Sequence, residues 1–129
     1  MAVKFQSEEW AKEMTNTLQA NEAVTGAAKG QNTSVQFVTN EVPGGTENKT
    51  FFKIVEGVPE VGVGDIDSPE ATITQTYETA VAIDKGELNS QNAFMQGKIK
   101  IAGNMMKMMQ LQPFVQAVGA ATKDVIREY

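Results

Sequence analysis

The chain has 129 residues, 11 Lys and Arg against 16 Asp and Glu for a formal net charge of −5, and neither cysteine nor histidine. That length suits one domain; the missing side chains exclude disulfides, thiolate or imidazole nucleophile chemistry and the usual zinc sites, and the negative charge opposes the phosphate contacts on which nucleic-acid affinity rests. No stretch approaches the roughly 18 apolar residues of a membrane span, and MAVKFQSEEWAKEM has no apolar signal core, so a cytoplasmic location is expected.

From the N-terminus, Ser7 followed by Glu8 and Glu9 has the form of a capped helix start, with acids where they suit the dipole. Trp10, Met14 and Leu18 then share one helical stripe. A second short helix is predicted over Asn21–Lys29, closed by Gly30. At Thr33 the period changes to two: Val35, Phe37 and Thr39 alternate with Ser34, Gln36 and Val38, and Pro43–Gly45 makes a loop.

A second strand over Lys49–Glu56 places Phe52 and Ile54 on the drier face and Lys53 with Phe51 and Val55 on the other. Gly57–Pro59 turns into Val61 and Val63, and Asp65–Glu70 leads to a strand over Ala71–Gln75 centred on Ile73. Four strands in succession suggest antiparallel pairing. Thr76 can cap a helix carrying Tyr77, Ala80, Val81 and Asp84, stopped by Gly86, and Ser90 starts a short helix reaching Phe94 and Met95.

The most specific stretch is FMQGKIKIAGNMMKMMQL, Phe94 to Leu111. Ile99 and Ile101 alternate with Lys98 and Lys100, Gly103 breaks the strand, and Asn104 can cap a helix in which Met105, Met108 and Met109 fall at i, i+3 and i+4. With seven methionines against three leucines, the chain favours deformable side chains. Such a stripe lines either a core or a cavity. Lys98, Lys100 and Lys107 beside it are either simply solvated or able to touch anionic headgroups. Pro113 suits the first turn of a last helix with Phe114, Val118, Ala121 and Val125 at helical spacing. The elements describe an α+β domain over 1–129: a mostly antiparallel five-stranded sheet with helices on one face.

This chain resembles the sterol carrier protein type-two, or non-specific lipid-transfer, family. Phe94, the Gly97–Ile101 strand, Gly103, Asn104 and Leu111 match its hallmark, and the likeness runs collinearly from the helix at Trp10 to Leu111. Residues Phe114 to Tyr129 depart from it, with Arg-Glu-Tyr in place of a peroxisomal tripeptide such as Ser-Lys-Leu. The resemblance implies an apolar tunnel between sheet and helices, a ligand such as a fatty acyl chain, fatty acyl-CoA or sterol, transient contact with membranes, and no cofactor.

The inward strand and helix positions are the expected tunnel wall: Phe37, Phe52, Ile54, Ile73, Phe94, Met105, Met108 and Met109, with Trp10, Met14 and Leu18 behind or beside them. Phe114, in a C-terminal helix over 113–129, is expected to cover the opening as part of a lid. An alternative role is an accessory or scaffold domain that presents a hydrophobic intermediate to a partner enzyme of lipid or isoprenoid metabolism. Other motifs are weak. Gly62-Val63-Gly64 lacks the third glycine of a dinucleotide loop, and Asp65, Asp67 and Glu70 lack the spacing of a calcium loop. No metal site or catalytic residue is assigned; a carboxylate-dependent enzyme would need a converging pair such as Glu56 with Asp65.

Overall fold

The computed structural model describes residues 3–123 and 125–129. A short strand β1 (Val3–Lys4) leads into α1 (Glu8–Ala20) and α2 (Glu22–Ala28), followed by β2 (Thr33–Asn40), β3 (Glu47–Val55), β4 (Val58–Val63) and β5 (Ala71–Thr76). Then come α3 (Tyr77–Asp84), α4 (Ser90–Met95), β6 (Ile99–Gly103), α5 (Met105–Gln110), α6 (Gln112–Thr122) and β7 (Arg127–Glu128). Among the described residues, no helix is long and apolar enough to cross a membrane.

The helix starts follow the capping logic of the sequence. Ser7 Oγ accepts from the Trp10 amide at 3.1 Å, Asn21 Oδ1 from Val24 at 3.1 Å and Asn104 Oδ1 from Lys107 at 3.0 Å. The helix at Ser90 is capped by Asn89, whose side chain accepts from the Gln91 and Asn92 amides.

Five strands form one sheet in the order β4-β3-β2-β5-β6. Antiparallel pairing holds for β2–β3, β3–β4 and β5–β6, but β5 runs parallel to β2 and does not pair with β4. Alternation assigns faces, not partners, and here the chain crosses back before laying down β5. Gln36, buried on the outer face, secures the crossing: its amide donates to the Thr50 and Gly64 carbonyls and accepts from the Ile66 amide at 2.8 Å. Thr15 of α1 exchanges two 2.9 Å hydrogen bonds with the Val61 backbone, so a helix covers part of the exposed edge of β4.

Register brings Val35, Phe52 and Val61 across from one another on the inner face, and likewise Phe37, Thr50, Val63, Ile73 and Ile101. Under the β3–β4 half, Leu18, Val24, Ala28, Ile54, Leu111 and Phe114 form a buried cluster. A second cluster, Phe5, Trp10, Ala11, Met14 and Ala80, lies where α1 meets α3. At Gly103, φ is +119° and an added Cβ would stand 2.4 Å from the Glu70 carbonyl oxygen, so this corner admits only glycine.

The C-terminal helix ends at Thr122, short of the expected 129, and Arg127–Glu128 instead pairs in parallel with Val3–Lys4. Strands of two residues show no period to read. Helical spacing for Val125 was coincidental.

Candidate functional site

Where the inner sheet face passes beneath the start of α1 and the length of α3, the packing leaves a cavity of about 200 Å³. Its floor is Phe37, Thr50, Ile73, Gln75 and Ile99; the N-terminal wall is Phe5, Gln6 and Trp10; the opposite wall is Ala80, Ile83 and Asp84. The aromatic wall is tightly set, with Phe5 edge-on to Trp10 at 5.4 Å and within 5.3 Å of the Tyr129 ring. Ala80 is the small residue across from it, and this is why space remains. A larger, more open space of about 360 Å³ between α1 and β4 has a mixed lining, with Glu8, Lys12, Asn16, Gln19 and Glu60 beside Ala11, Val61 and Val63.

The polar groups of the apolar cavity are few and mostly engaged. Gln6 holds a left-handed backbone at φ +65° and is buried; its amide donates to Thr39 Oγ1 and accepts from Asn48, each at 3.0 Å. Asp84 Oδ2 accepts from Arg127 Nε at 2.7 Å and from the Tyr129 hydroxyl at 2.5 Å. Burial pushes the Asp84 carboxyl above its ordinary value, against the opposing pull of Tyr129 and Arg127. The Tyr129 hydroxyl is pushed up as well, by burial first and then by its bond to Asp84. Trp10 is 8% exposed, and its Nε1 has no hydrogen-bond partner among the described residues.

The expected wall residues separate into three groups. Trp10, Phe37 and Ile73 line the cavity, and Met14 sits in the cluster beside it. Leu18, Ile54 and Phe114 are buried in the other cluster, with Phe52 and Met108 packed against it. Phe94, Met105 and Met109 face outward, with exposures of 40%, 38% and 71%. The buried Leu111 and inward Met108 fix the phase of α5 and turn Met109 away, while Met105, one turn before Met108 at the helix start, stays partly open. An enclosed tunnel is not shown.

The rest of the lining, Phe5, Gln6, Thr50, Gln75, Ala80, Ile83, Asp84 and Ile99, is not among the expected wall residues. Two of these carried signals: Ile99 shares the inner face of its strand with Ile101, and Asp84 continues the Tyr77–Ala80 stripe of α3. Glu56 and Asp65 do not converge, since both are exposed and they flank opposite ends of β4. Asp65 pairs instead with Lys49 at 3.2 Å.

A family model described as the SCP-2 sterol transfer family matches residues 6–116. Among curated proteins, Sterol carrier protein 2 of Gallus gallus is 37% identical over 76 residues, covering 59% of this chain and 14% of that protein. Peroxisomal multifunctional enzyme A of Dictyostelium discoideum is 35% identical over 98 residues, 74% of this chain and 22% of that protein. This chain thus corresponds to a small part of these relatives. A crystal structure of sterol carrier protein 2 superposes with a TM-score of 0.74 at 18% identity, covering 95% of this chain and 99% of that one. The hallmark residues serve the frame, since Gly103 makes the corner, Asn104 caps α5 and Leu111 enters the core. The chain belongs to the SCP-2 sterol transfer family.

Proposed function

We propose that this chain is a non-catalytic lipid carrier that holds the apolar part of an amphiphile, a fatty acyl chain, fatty acyl-CoA or sterol, against the inner face of its sheet. The observation that carries the reading is the apolar cavity over Phe37, Ile73 and Ile99 in a member of a sterol transfer family. Each methylene moved from water into such a space gains about 0.8 kcal/mol, whereas exchange with a bilayer is nearly balanced because the tails there are already in hydrocarbon. Balanced exchange makes loading reversible.

At about 200 Å³ the cavity is smaller than the roughly 300–1,000 Å³ of sites that enclose a whole ligand. In this reading the cavity takes one end of the amphiphile over Phe37, Ile73 and Ile99 and the rest of a longer ligand leaves through its open side, while Phe52, Ile54, Leu18, Met108 and Phe114 stay packed as the filled half. The cover is the C-terminal segment, whose Arg127 and Tyr129 hold Asp84 at the rim. Phe94, Met105 and Met109 meet lipid only in passage, at the membrane. Native mass spectrometry of gently purified protein is expected to show a defined co-purifying lipid. A protein that comes free of lipid and takes up no fluorescent fatty acid from vesicles overturns the reading.

A second reading is favoured by one observation: the Dictyostelium discoideum relative is a multifunctional enzyme of which this chain matches 22%. Here the domain presents a hydrophobic intermediate to a partner enzyme. Capture of one enzyme by lipid-loaded but not lipid-stripped protein is the expected result.

A further inference from the structure

The two edges of the five-stranded sheet are finished differently. On β4 the backbone groups of Pro59, Val61 and Val63 turn outward, and α1 covers the first two: Gln19 donates to the Pro59 carbonyl at 3.1 Å, and the Thr15 hydroxyl both donates to and accepts from Val61. The opposite edge, β6, has no such cover. Asn104 donates to the Glu70 carbonyl at 2.9 Å, and in the register that continues from this bond the amides and carbonyls of Ala102 and Lys100 meet β5. Those of Ile99, Ile101 and Gly103 therefore point away from the sheet, and none has a hydrogen-bond partner among the described residues. Lys100, Ala102 and Gly103 are exposed, and neither the alanine nor the glycine has the bulk to hold off an approaching backbone.

Charge marks the same place. Residues 88–123, which hold α4, β6, α5 and α6, contain four lysines and no Asp or Glu, although the chain has 16 acidic residues in all. Two of those lysines, Lys98 and Lys100, are exposed at the bare edge, and Glu70 lies past the end of β6, opposite Asn104. At Val63, where β4 is uncovered, the neighbours are instead Glu8, Glu60 and Lys12. An acidic partner is thus drawn to one edge and opposed at the other.

We propose that the outer edge of β6 is a docking site for an extended acidic segment of a partner protein, which adds to the sheet as a further strand. The backbone of that segment pairs with Ile99, Ile101 and Gly103. Its side chains alternate, so β-branched residues meet Ile101 on the inner side and carboxylates meet Lys98 and Lys100 on the outer side. A second copy of this chain fits less well, because pairing two β6 edges about Ile101 makes the two Lys100 side chains diagonal neighbours on one face. A bilayer fits less well too, since hydrocarbon offers nothing to the bare N–H and C=O groups.

Titration of the isotope-labelled full chain with the end-blocked peptide EVEVE, followed through backbone amide chemical shifts, tests the site. Saturable shifts centred on Ile99–Gly103 are expected, weakening as salt is added. The blocked peptide KVKVK has the same valines and the opposite charge, and should bind about ten-fold more weakly. EPEPE keeps the acids but has no N–H at its prolines, and should leave these amides unmoved. Lys100→Glu should weaken EVEVE about ten-fold while uptake of fluorescent fatty acid is unchanged, because Lys100 does not line the cavity; Lys98→Glu serves if that variant fails to fold. Unmoved Ile101 and Gly103 amides, equal binding of EVEVE and KVKVK, or shifts confined to Val63 overturn the site. So do β6 shifts that grow with the concentration of the protein alone, which assign the edge to a second copy, and β6 shifts with phosphatidylglycerol vesicles but not with EVEVE, which assign it to a membrane. Each of these results leaves the carrier reading standing, since lipid uptake is measured separately.

Discussion

The two halves of the inner sheet face are built from the same kinds of residue and end in opposite states. Under β3 and β4 the space is filled: Ile54 is 1% exposed, Leu18 is fully buried, and Phe114 of α6 rests on Phe52 with ring centroids 5.0 Å apart. Under β2, β5 and β6 the equally apolar Phe37, Ile73 and Ile99 look into a cavity, because α3 sets Ala80 opposite them. Strand alternation decides which residues point inward; the volume of the helix residue across from them decides whether a core or a site results. Stability and binding should therefore be separable by mutation.

The filled half should give the largest effect. Leu18→Ala removes a fully buried side chain from a close-packed cluster and is expected to lower unfolding stability by about 4 kcal/mol in urea denaturation. Ligand affinity of the folded fraction should not change. A large affinity loss in a folded variant would mean that the cavity extends into this cluster and would dissolve the contrast.

Ala80→Phe reverses the contrast by making the open half resemble the filled one. Its ring would occupy the space between α3 and Ile73, and lipid affinity should fall about 30-fold, roughly 2 kcal/mol. Undiminished uptake of fluorescent fatty acid would show that the ligand lies elsewhere. At the rim, Arg127→Met leaves the Asp84 carboxylate without its cation, and a stability loss of about 2 kcal/mol is expected by thermal denaturation.

Asp84 should give a smaller and pH-dependent signal. Its carboxyl is pushed above the ordinary value mainly by burial, so the folded protein binds that proton more tightly than the unfolded chain. Its contribution to stability is then full below the unfolded carboxylate value and is lost as pH rises through the raised folded value. Wild type and Asp84→Asn should accordingly unfold at similar urea concentrations in acid, with wild type falling behind as pH rises. A wild type that gains on the variant with rising pH would mean that Arg127 outweighs burial.

Much of the fold was legible because period-two runs and capping residues are local. Ser7, Asn104 and Gly103 do what their types dictate, and Phe52 and Ile54 share the inner face. What escaped was non-local. No alternation tells β5 to lie parallel beside β2, and the pairing of β1 with β7 joins the two ends of the chain. At the site, Trp10, Phe37 and Ile73 came together as inward positions should, but Asp84 acquires its meaning only from Arg127 and Tyr129 in the closing strand. The methionine helix failed for a different reason. With four methionines among the five residues Met105–Met109, apolar side chains spread over more than half the circumference of α5 and leave only the narrow row of Asn104, Lys107 and Gln110 polar, so spacing alone cannot say which methionine turns inward.

That ambiguity gives the smallest and last prediction. Met106 and Met109 are 72% and 71% exposed, on the side of α5 away from the buried Leu111, and belong to neither half of the inner face. Met109→Glu should leave stability within about 0.5 kcal/mol and leave the affinity for a soluble ligand unaltered, since an exposed helix position loses little packing. If this surface touches the bilayer during transfer, the added carboxylate opposes anionic headgroups by at most about 1 kcal/mol, slowing lipid transfer from anionic vesicles roughly five-fold with no effect on neutral ones. Equal slowing from both vesicle types would point to lost apolar insertion rather than charge. Unchanged transfer from both would remove α5 from membrane contact, and a fall in soluble-ligand affinity would place Met109 in the wall after all.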